Sequence, residues 1–305
     1  MGRISYRRPQ QIVNLKVLGR LEVGGGQIMV PKGTSYFVDP TNGSAQFDGR
    51  SWDSPLLTLA AALALAVAND TIHLAKGAYA EAVTIARAQA GLTIICPGGR
   101  GSAFLEAPTD STGLTNLAND VTLINVGLGG NGTGSGLINY GDRLRCYGCK
   151  IEGGTNGAVM TLGTVAQVAA LTHGKGADCL FEDCEFAWSS AAGIKITASD
   201  YGAVTQLFVR RSKFHNLSAA HFEESGGSAS IRFRNLEILD CVFDDDEGGA
   251  APTKFISLND DNGNDGIVSG CRFPTALNGG LNLVSTALTW VGNLHPAGLS
   301  TTQPS

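Results

Sequence analysis

The chain has 305 residues, of which 43% are hydrophobic and 16% are charged, and its formal net charge is −5. A chain of this length can bury a large core, and no apolar run approaches the roughly twenty residues of a membrane-spanning helix. We therefore expect a protein with a substantial core and no membrane segment.

The N-terminal segment differs from the rest of the chain in charge. Residues 1–35 hold six basic residues against the single acid Glu22, a net charge of +5, whereas residues 36–305 hold 16 basic and 26 acidic groups, a net charge of −10. A basic arm on an acidic body is typical of an attachment segment for an acidic partner. The arm has one aromatic residue, Tyr6, and no recognisable nucleic-acid-binding fold, which favours a protein partner over nucleic acid. The predicted anchor residues are Arg3, Arg7, Arg8, Lys16 and Arg20.

The stretch SPLLTLAAALALAVAND at 54–70 predicts an α-helix over residues 55–68. Ser54 suits the N-cap position, and Pro55 suits the first helical turn. The segment is apolar nearly all round, so other elements of the protein have to cover it. The following residues, DTIHLAKGAYAEAVTI at 70–85, are predicted to begin the first strands.

Downstream of the helix, one pattern returns six times: apolar, any, apolar, any, any, small, any, apolar. Its small position is occupied by Val126, Cys149, Cys184, Ser212, Cys241 and Cys271. Two residues later stand Leu128, Ile151, Phe186, Phe214, Phe243 and Phe273. A second apolar strand begins ten residues after the small position, at Val159, Ile194, Phe222 and Leu281. The alternation has the period of a strand rather than a helix, and the repeat length suits stacked turns, so we predict a parallel β-helix.

A solenoid of this kind leaves strand edges and core exposed at its end, and the apolar helix is predicted to close that end as a cap. The predicted organisation is therefore a basic arm at 1–35, a cap with the first strands at 36–85, the parallel β-helix at 86–296 and a flexible tail at 297–305.

The seven cysteines admit disulfide, metal and core roles. Cys146, Cys149, Cys179 and Cys184 all fall on inward positions of the repeat. Neighbouring turns lie about 4.8 Å apart, which is too far for the Cβ atoms of an unstrained disulfide. We therefore expect reduced core cysteines, with metal and redox roles as the alternatives, and we expect no cofactor. Reduced thiols fit folding in a cytoplasm, and the basic N-terminus lacks the apolar core of a signal peptide.

The segment from residue 36 to residue 85 resembles the N-terminal part of a known class of proteins. YFVDPTNGSAQFDGRSWDSPLLTLAAAL, followed by DTIHLAKGAYAEAVTI, resembles the opening segment of right-handed parallel β-helix proteins of the pectin-lyase-like class, which are common in bacteriophage genomes. The class includes pectate lyases, polygalacturonases, phage tailspike depolymerases and non-enzymatic virion proteins. The resemblance thus implies the fold and leaves the function open.

For catalysis, two acidic clusters offer weak candidates, Asp244 and Asp245 in the first and Asp261 and Asp265 in the second. Glycoside hydrolysis needs two carboxyl groups about 5–10 Å apart, whereas Asp-Asn-Gly clusters are also ordinary turn chemistry. The paired-Asp, Gly-His-Gly and Arg-Ile-Lys motifs of polygalacturonases are not found. We expect a protein without depolymerase activity and predict no metal site.

The outward positions predict self-association. Leu180 and Phe208 stand at equivalent outward positions of consecutive turns, with Ile267 two turns further along. Apolar residues stacked on neighbouring turns make a patch, which either the insertion at 163–176 covers or a second copy does. The resemblance implies a trimer.

Together these features predict a structural protein of a bacteriophage virion, such as a capsid decoration, head fibre or short spike, assembled in the host cytoplasm. The basic arm would bind other capsid or tail proteins, and a host surface glycan is a further candidate partner. The alternatives are a tailspike-type polysaccharide depolymerase and a bacterial surface adhesin.

Overall fold

A computed structural model of the chain describes residues 22–23, 26–27, 33–154, 160–162, 176–197, 204–225, 233–244, 254–258, 265–273, 288–295 and 298–300. The chain divides into two units, residues 1–31 and residues 32–305. In the first unit, β1 (Glu22–Val23) pairs with β2 (Gly26–Gln27) in antiparallel fashion. The five predicted anchor residues, Arg3 to Arg20, lie outside the described residues.

The second unit is built from three sheets of parallel strands. Sheet 1 has ten strands: β3 (Ser35–Val38), β4 (Thr71–Leu74), β7 (Thr93–Ile95), β10 (Thr122–Ile124), β13 (Arg145–Tyr147), β16 (Cys179–Glu182), β19 (Val204–Arg210), β22 (Phe233–Leu239), β25 (Gly266–Ser269) and β26 (Leu288–Val291). Sheet 2 has seven: β5 (Gly77–Tyr79), β8 (Ala103–Glu106), β11 (Val126–Gly129), β14 (Lys150–Glu152), β17 (Glu185–Ser189), β20 (Lys213–Leu217) and β23 (Val242–Phe243).

Sheet 3 also has seven strands: β6 (Val83–Ile85), β9 (Leu114–Asn116), β12 (Leu137–Asn139), β15 (Met160–Leu162), β18 (Ile194–Thr197), β21 (Ala220–Ser225) and β24 (Lys254–Ser257). The chain visits sheets 1, 2 and 3 in turn, and each strand pairs with its counterpart one turn later. This is the parallel β-helix that the repeat predicts. Near the end, β27 (Asn293–His295) and β28 (Gly298–Ser300) form an antiparallel pair.

The predicted inward columns form the core. All six residues of the small column are buried, and the column two residues later is buried as well. In that second column the aromatic rings of successive turns stack, with centroids 4.6 Å apart for Phe186 and Phe214 and 4.7 Å apart for Phe243 and Phe273. The second apolar strand departs from the prediction at one turn, because Met160, one residue after Val159, pairs with Ile194.

The helix α1 (Leu59–Leu65) is shorter than the predicted span of 55–68. Thr58 is its N-cap and accepts a hydrogen bond from the backbone N–H of Ala61 at 3.1 Å, so the predicted cap Ser54 is wrong. The helix starts later because Leu56 pairs with the strand segment around Phe37. The backbone N–H of Leu56 donates to the carbonyl of Phe37, and its carbonyl accepts from the N–H of Asp39, so Leu56 is extended rather than helical.

Side chains from the next turns bind both ends of α1. The carboxylate of Glu81 accepts hydrogen bonds from the backbone N–H groups of Leu59 and Ala60 at 2.7 and 2.9 Å. At the other end, the amide of Gln89, in a 3₁₀ turn at Arg87–Gln89, donates to the carbonyl groups of Leu63 and Ala66. These contacts satisfy backbone groups that a helix end leaves unpaired, and they fix α1 against β3 and β6. Within the described ranges, no helix is long and apolar enough to cross a membrane.

All seven cysteines are buried free thiols, and the six that the repeat places on inward positions are buried as predicted. Burial raises the pKa of Cys179 to about 12. A thiol in this environment is a core side chain rather than a nucleophile, because the reactive thiolate form is disfavoured.

Candidate functional site

The outer face of sheet 2 carries two rows of side chains that point away from the core, because side chains alternate along each strand. The first row runs through Phe104, Gly127, Lys150, Glu185 and Lys213. The second row runs through Glu106, Gly129, Glu152, Ala187 and His215. These two rows, together with Arg100 and Trp188, are called the sheet 2 surface below.

Two glycines form the floor under an aromatic ring on this surface. A Cβ atom at Gly127 would collide with the ring of Phe104, and one at Gly129 would stand 2.7 Å from its Cε1 atom. The Phe104 ring therefore lies flat across both glycines. The ammonium group of Lys150, two turns along from Phe104, lies 5.9 Å from the centroid of the Phe104 ring, within cation–π distance.

A histidine and an arginine hold the carboxylate of Glu185. Nε2 of His215 lies 3.1 Å from Oε1 of Glu185, and the guanidinium of Arg100 lies 3.6 Å from Oε2. The side-chain amide of Asn216 donates to Nδ1 of His215 at 3.1 Å, so the ring proton sits on Nε2 and is donated to Glu185. The hydrogen bond from His215 is the largest cause that lowers the pKa of Glu185, and this carboxylate is ionised at neutral pH.

Beside this pair stands Trp188, whose side chain is exposed. Its ring centroid lies 6.4 Å from that of His215 in an edge-on arrangement, and 50% of its surface is accessible. Its φ angle is +56°, a left-handed conformation that is a genuine outlier for a bulky residue. The buried neighbours Ala187 and Ser189 fix the strand on both sides. Backbone strain of this kind persists where the surrounding structure imposes it, and it concentrates at binding and catalytic sites.

A second carboxylate, Glu152, lies on the preceding turn. Its Oε1 is 2.5 Å from Nζ of Lys150, and Lys150 pairs in register with Glu185. Strand spacing and rise place the Cα atoms of Glu152 and Glu185 about 8 Å apart. The surface thus offers two carboxylates, their cationic partners and two aromatic rings on the four consecutive turns from β8 to β17.

The predicted catalytic aspartates do not form such a group. Asp244 is nearly buried at the end of β23 and lies 3.3 Å from Nζ of Lys213. Asp265 is exposed just before β25, where it accepts a hydrogen bond from the backbone N–H of Asn235. Asp245 and Asp261 lie outside the described residues. In the part of the chain that the structure describes, no three His, Cys, Asp or Glu side chains gather as a metal ion would require.

The predicted self-association residues stand where the repeat places them. Leu180 and Phe208 pair in register on neighbouring strands of sheet 1, and Glu237 separates Phe208 from Ile267 in the same row. All three apolar side chains are partly exposed. The guanidinium of Arg210 lies over the ring of Phe208, 5.3 Å from its centroid.

Sequence reasoning missed the sheet 2 surface as a site. In the sequence, Lys150, Glu185 and Lys213 can be recognised as a row of charged outward positions. His215 belongs to the other outward row, with Glu152 and Ala187, and that row was not read. Reading both outward rows of each strand would have found the pair. The left-handed turn at Trp188 has no sequence signal, because tryptophan is not a residue that favours that conformation.

No protein-family model matches the chain, and no curated protein sequence matches it. Among solved structures, the pectin methylesterase of Aspergillus niger is similar over 87% of this chain and 84% of its own, with 14% identity and a TM-score of 0.54. The pectin methylesterase of carrot is similar over 87% of this chain and 83% of its own, with 12% identity and a TM-score of 0.50.

A tailspike protein of the Acinetobacter baumannii bacteriophage Fri1, described as a capsular polysaccharide depolymerase, matches 74% of this chain and 48% of its own. Its identity is 12% and its TM-score 0.48, a distance at which the likeness carries no argument about function. Similarity at the identities found shows the fold alone. This chain is a right-handed parallel β-helix.

Proposed function

We propose that this chain is a structural protein of a bacteriophage virion that binds a saccharide through the sheet 2 surface. The observation that carries the proposal is the exposed, strained Trp188 beside the hydrogen-bonded Glu185 and His215, with the flat Phe104 ring on the same face.

This combination suits a polyhydroxylated ring. A pyranose presents C–H groups on its faces and hydroxyl groups around its rim. The aromatic rings of Trp188 and Phe104 supply flat apolar surfaces for the faces, and ionised Glu185 and Glu152 accept hydrogen bonds from hydroxyl groups. Lys150 and Arg100 add donors on the same surface, so an acidic sugar is also accommodated.

The environment of Glu185 favours binding over cleavage. A general acid in glycoside hydrolysis needs a pKa raised toward neutrality, which burial or a neighbouring negative charge provides. Here the hydrogen bond from His215 and the nearby cations lower the pKa of Glu185 instead. The surface therefore supports recognition of a saccharide better than proton donation to a leaving group.

The virion location rests on the sequence. The segment 36–85 resembles the opening of pectin-lyase-like β-helix proteins, a class common in bacteriophage genomes and among bacterial secreted enzymes. Residues 1–35 carry the basic anchor residues for a capsid or tail partner. Self-association through the outer face of sheet 1 belongs to the same proposal. Immunogold labelling of particles of the phage that carries this gene tests the location, and particles without label would contradict it.

Tryptophan fluorescence tests saccharide binding. The chain has three tryptophans, of which Trp188 and Trp52 are exposed by 50% and 46% and Trp290 is buried. Host capsular polysaccharide and polygalacturonate are the probes. We expect quenching in the wild type and in Trp52→Phe, the matched control, and none in Trp188→Phe. Quenching retained in Trp188→Phe and lost in Trp52→Phe would place any binding elsewhere.

A depolymerase is the second candidate, because Glu152 and Glu185 place two carboxyl groups on neighbouring turns of one exposed face, as glycoside hydrolysis requires. It predicts release of reducing ends or unsaturated products from the same polysaccharides, abolished by Glu185→Gln and by Glu152→Gln. Binding without product, at equal protein concentration over a day, supports the recognition role.

A further inference from the structure

The outer face of sheet 1 also carries two rows of side chains, and their order has a symmetry. From β7 to β26, the first row reads Thr93, Thr122, Arg145, Leu180, Phe208, Glu237, Ile267 and Thr289. The second row reads Ile95, Ile124, Tyr147, Glu182, Arg210, Leu239, Ser269 and Val291. All sixteen side chains are partly or fully exposed.

The centre of this symmetry lies between β16 and β19. Moving outward from it, the first row gives Leu180 and Phe208, then Arg145 on one side and Glu237 on the other. The second row gives Glu182 on one side and Arg210 on the other. The charges thus reverse sign across the centre. Leu180, Tyr147 and Ile95 have apolar counterparts in Phe208, Leu239 and Val291, whereas Ile267 and Ile124 stand opposite Thr122 and Ser269.

We infer that this face pairs with the same face of a second copy, with the two β-helix axes antiparallel. A two-fold axis parallel to the strands, between β16 and β19, keeps each row opposite itself and reverses the order of the turns. Leu180 then meets Phe208 of the second copy, and Tyr147 meets Leu239 of the second copy. Ile95 meets Val291 of the second copy in the same way.

The charges complete the match. In the antiparallel pair, Arg145 lies opposite Glu237 of the second copy, and Glu182 lies opposite Arg210 of the second copy. Within one chain these groups already have partners, because Arg145 bonds Asp178 at 3.1 Å and Arg210 bonds Glu237 at 2.9 Å. The pairing therefore joins the ion pairs of the two chains into networks. Each charged group at the interface keeps a partner of opposite charge, and a buried interface requires this because an unpaired buried charge is costly.

The parallel arrangement is less well matched. When the axes are parallel, each turn meets the same turn of its neighbour and the two rows exchange places. Leu180 then faces Glu182 of the neighbour, and Leu239 faces Glu237 of the neighbour. Charged groups lose water to apolar neighbours at these contacts, at a cost that the antiparallel pair avoids. A three-fold bundle shares this parallel alignment, so the face itself favours a dimer over the trimer that the resemblance implies.

The inference deepens the proposed self-association and is independent of saccharide binding, which uses sheet 2. Charge variants of the 305-residue chain test it by light scattering, with far-UV circular dichroism and thermal melting as folding controls. We expect the wild type to have twice the 31.6 kDa mass of one chain. Arg145→Glu alone and Glu237→Arg alone each place like charges opposite each other twice, and both should be monomers.

Mixing the two variants restores opposite charges at both contacts. The Arg145→Glu chain is acidic at positions 145 and 237, and the Glu237→Arg chain is basic at both. We expect the mixture to recover the dimer mass, which also shows that both variants are folded. Monomeric wild type at high concentration overturns self-association through this face. A trimer, or a mixture that stays monomeric while both variants are folded, overturns the antiparallel pairing.

Cross-linking fixes the orientation. Thr122→Cys in one chain and Ile267→Cys in another lie opposite each other in the antiparallel pair. In a parallel pair they lie five turns apart, about 24 Å, beyond the reach of a disulfide. The native thiols are buried, so the introduced ones are the accessible pair. We expect mixed disulfide dimers from the two variants and few from either alone, and the reverse result contradicts the orientation.

Discussion

His221, at the second position of β21, is a fully buried histidine among aromatic rings. It stacks on Phe255 with centroids 4.8 Å apart, and it meets Phe243 and Phe214 edge-on at 5.4 and 5.9 Å. Neither ring nitrogen has a hydrogen-bond partner among the described residues. Burial lowers the pKa of His221 to about 3, with a smaller contribution from His215.

The depressed pKa makes the stability of the fold depend on pH. Below pH 6.5 the unfolded chain binds a proton at this histidine, whereas the folded chain binds it only near pH 3. The unfolded state therefore holds more protons in this window, and the free energy of unfolding falls as the pH is lowered, by up to about 1.4 kcal/mol per pH unit. Between pH 7.5 and pH 5.0 the loss from this one residue is about 2 kcal/mol.

The variant His221→Phe removes both the titration and the unpaired nitrogens. At pH 7.5 we expect it to be more stable than the wild type by about 1–2 kcal/mol, because a buried unsatisfied polar group costs that much. At pH 5.0 the gain should grow by about 2 kcal/mol. Chemical unfolding at both pH values measures the difference, in which titrations common to both proteins cancel.

His73 supplies the control, since it stacks on Phe37 at 4.9 Å on the outer face of sheet 1 and is partly exposed. His73→Phe should show a smaller pH dependence than His221→Phe. A difference between wild type and His221→Phe that stays the same at pH 7.5 and pH 5.0 would refute the reasoning, since it would mean that the folded protein protonates this ring as readily as the unfolded chain.

Three further predictions concern other parts of the fold. The seven buried cysteines, with the pKa of Cys179 raised to about 12, should not react with iodoacetamide until the chain is unfolded; intact mass before and after denaturation measures this, and modification of the folded protein would contradict it. Glu81→Ala removes the acceptor of two N–H groups at the start of α1 and should lower the free energy of unfolding by about 1–2 kcal/mol. The exposed control Glu106→Ala should change it by less than about 0.5 kcal/mol. Equal effects of the two substitutions would reject the capping role of Glu81. Gly127→Val displaces the Phe104 ring and should weaken saccharide-induced quenching without unfolding the chain; unchanged quenching would exclude that ring from the binding surface.

The fold could be predicted because the apolar and small positions of the repeat are the positions that are buried in every turn. The positions at Cys149, Cys184, Cys241 and Cys271 are inward in every turn, and a period of two with a fixed offset allows only stacked parallel strands. The same register predicted that Leu180 and Phe208 would be neighbours.

The errors occurred where contacts distant in sequence compete with local preference. Ser54 and Pro55 favour an earlier helix start, but Leu56 is held by backbone hydrogen bonds to the strand segment around Phe37. Glu81, 22 residues after Leu59, then binds the true N-terminus of the helix. Helix propensity depends on residues that are close in sequence, so it does not predict a contact with the carboxylate of Glu81, which lies on the next turn of the β-helix.

The sequence by itself thus determined the fold class, the inward columns, the burial of the thiols and the neighbours within each row. Only the tertiary structure decided which side chains bond to each other across rows and turns, such as Glu185 with Arg100, and that Trp188 takes a left-handed conformation. The physical reason is that burial imposes a period that repeats in the chain and fixes which residues share a row, whereas the direction of an outward side chain and the local backbone conformation depend on contacts distant in sequence.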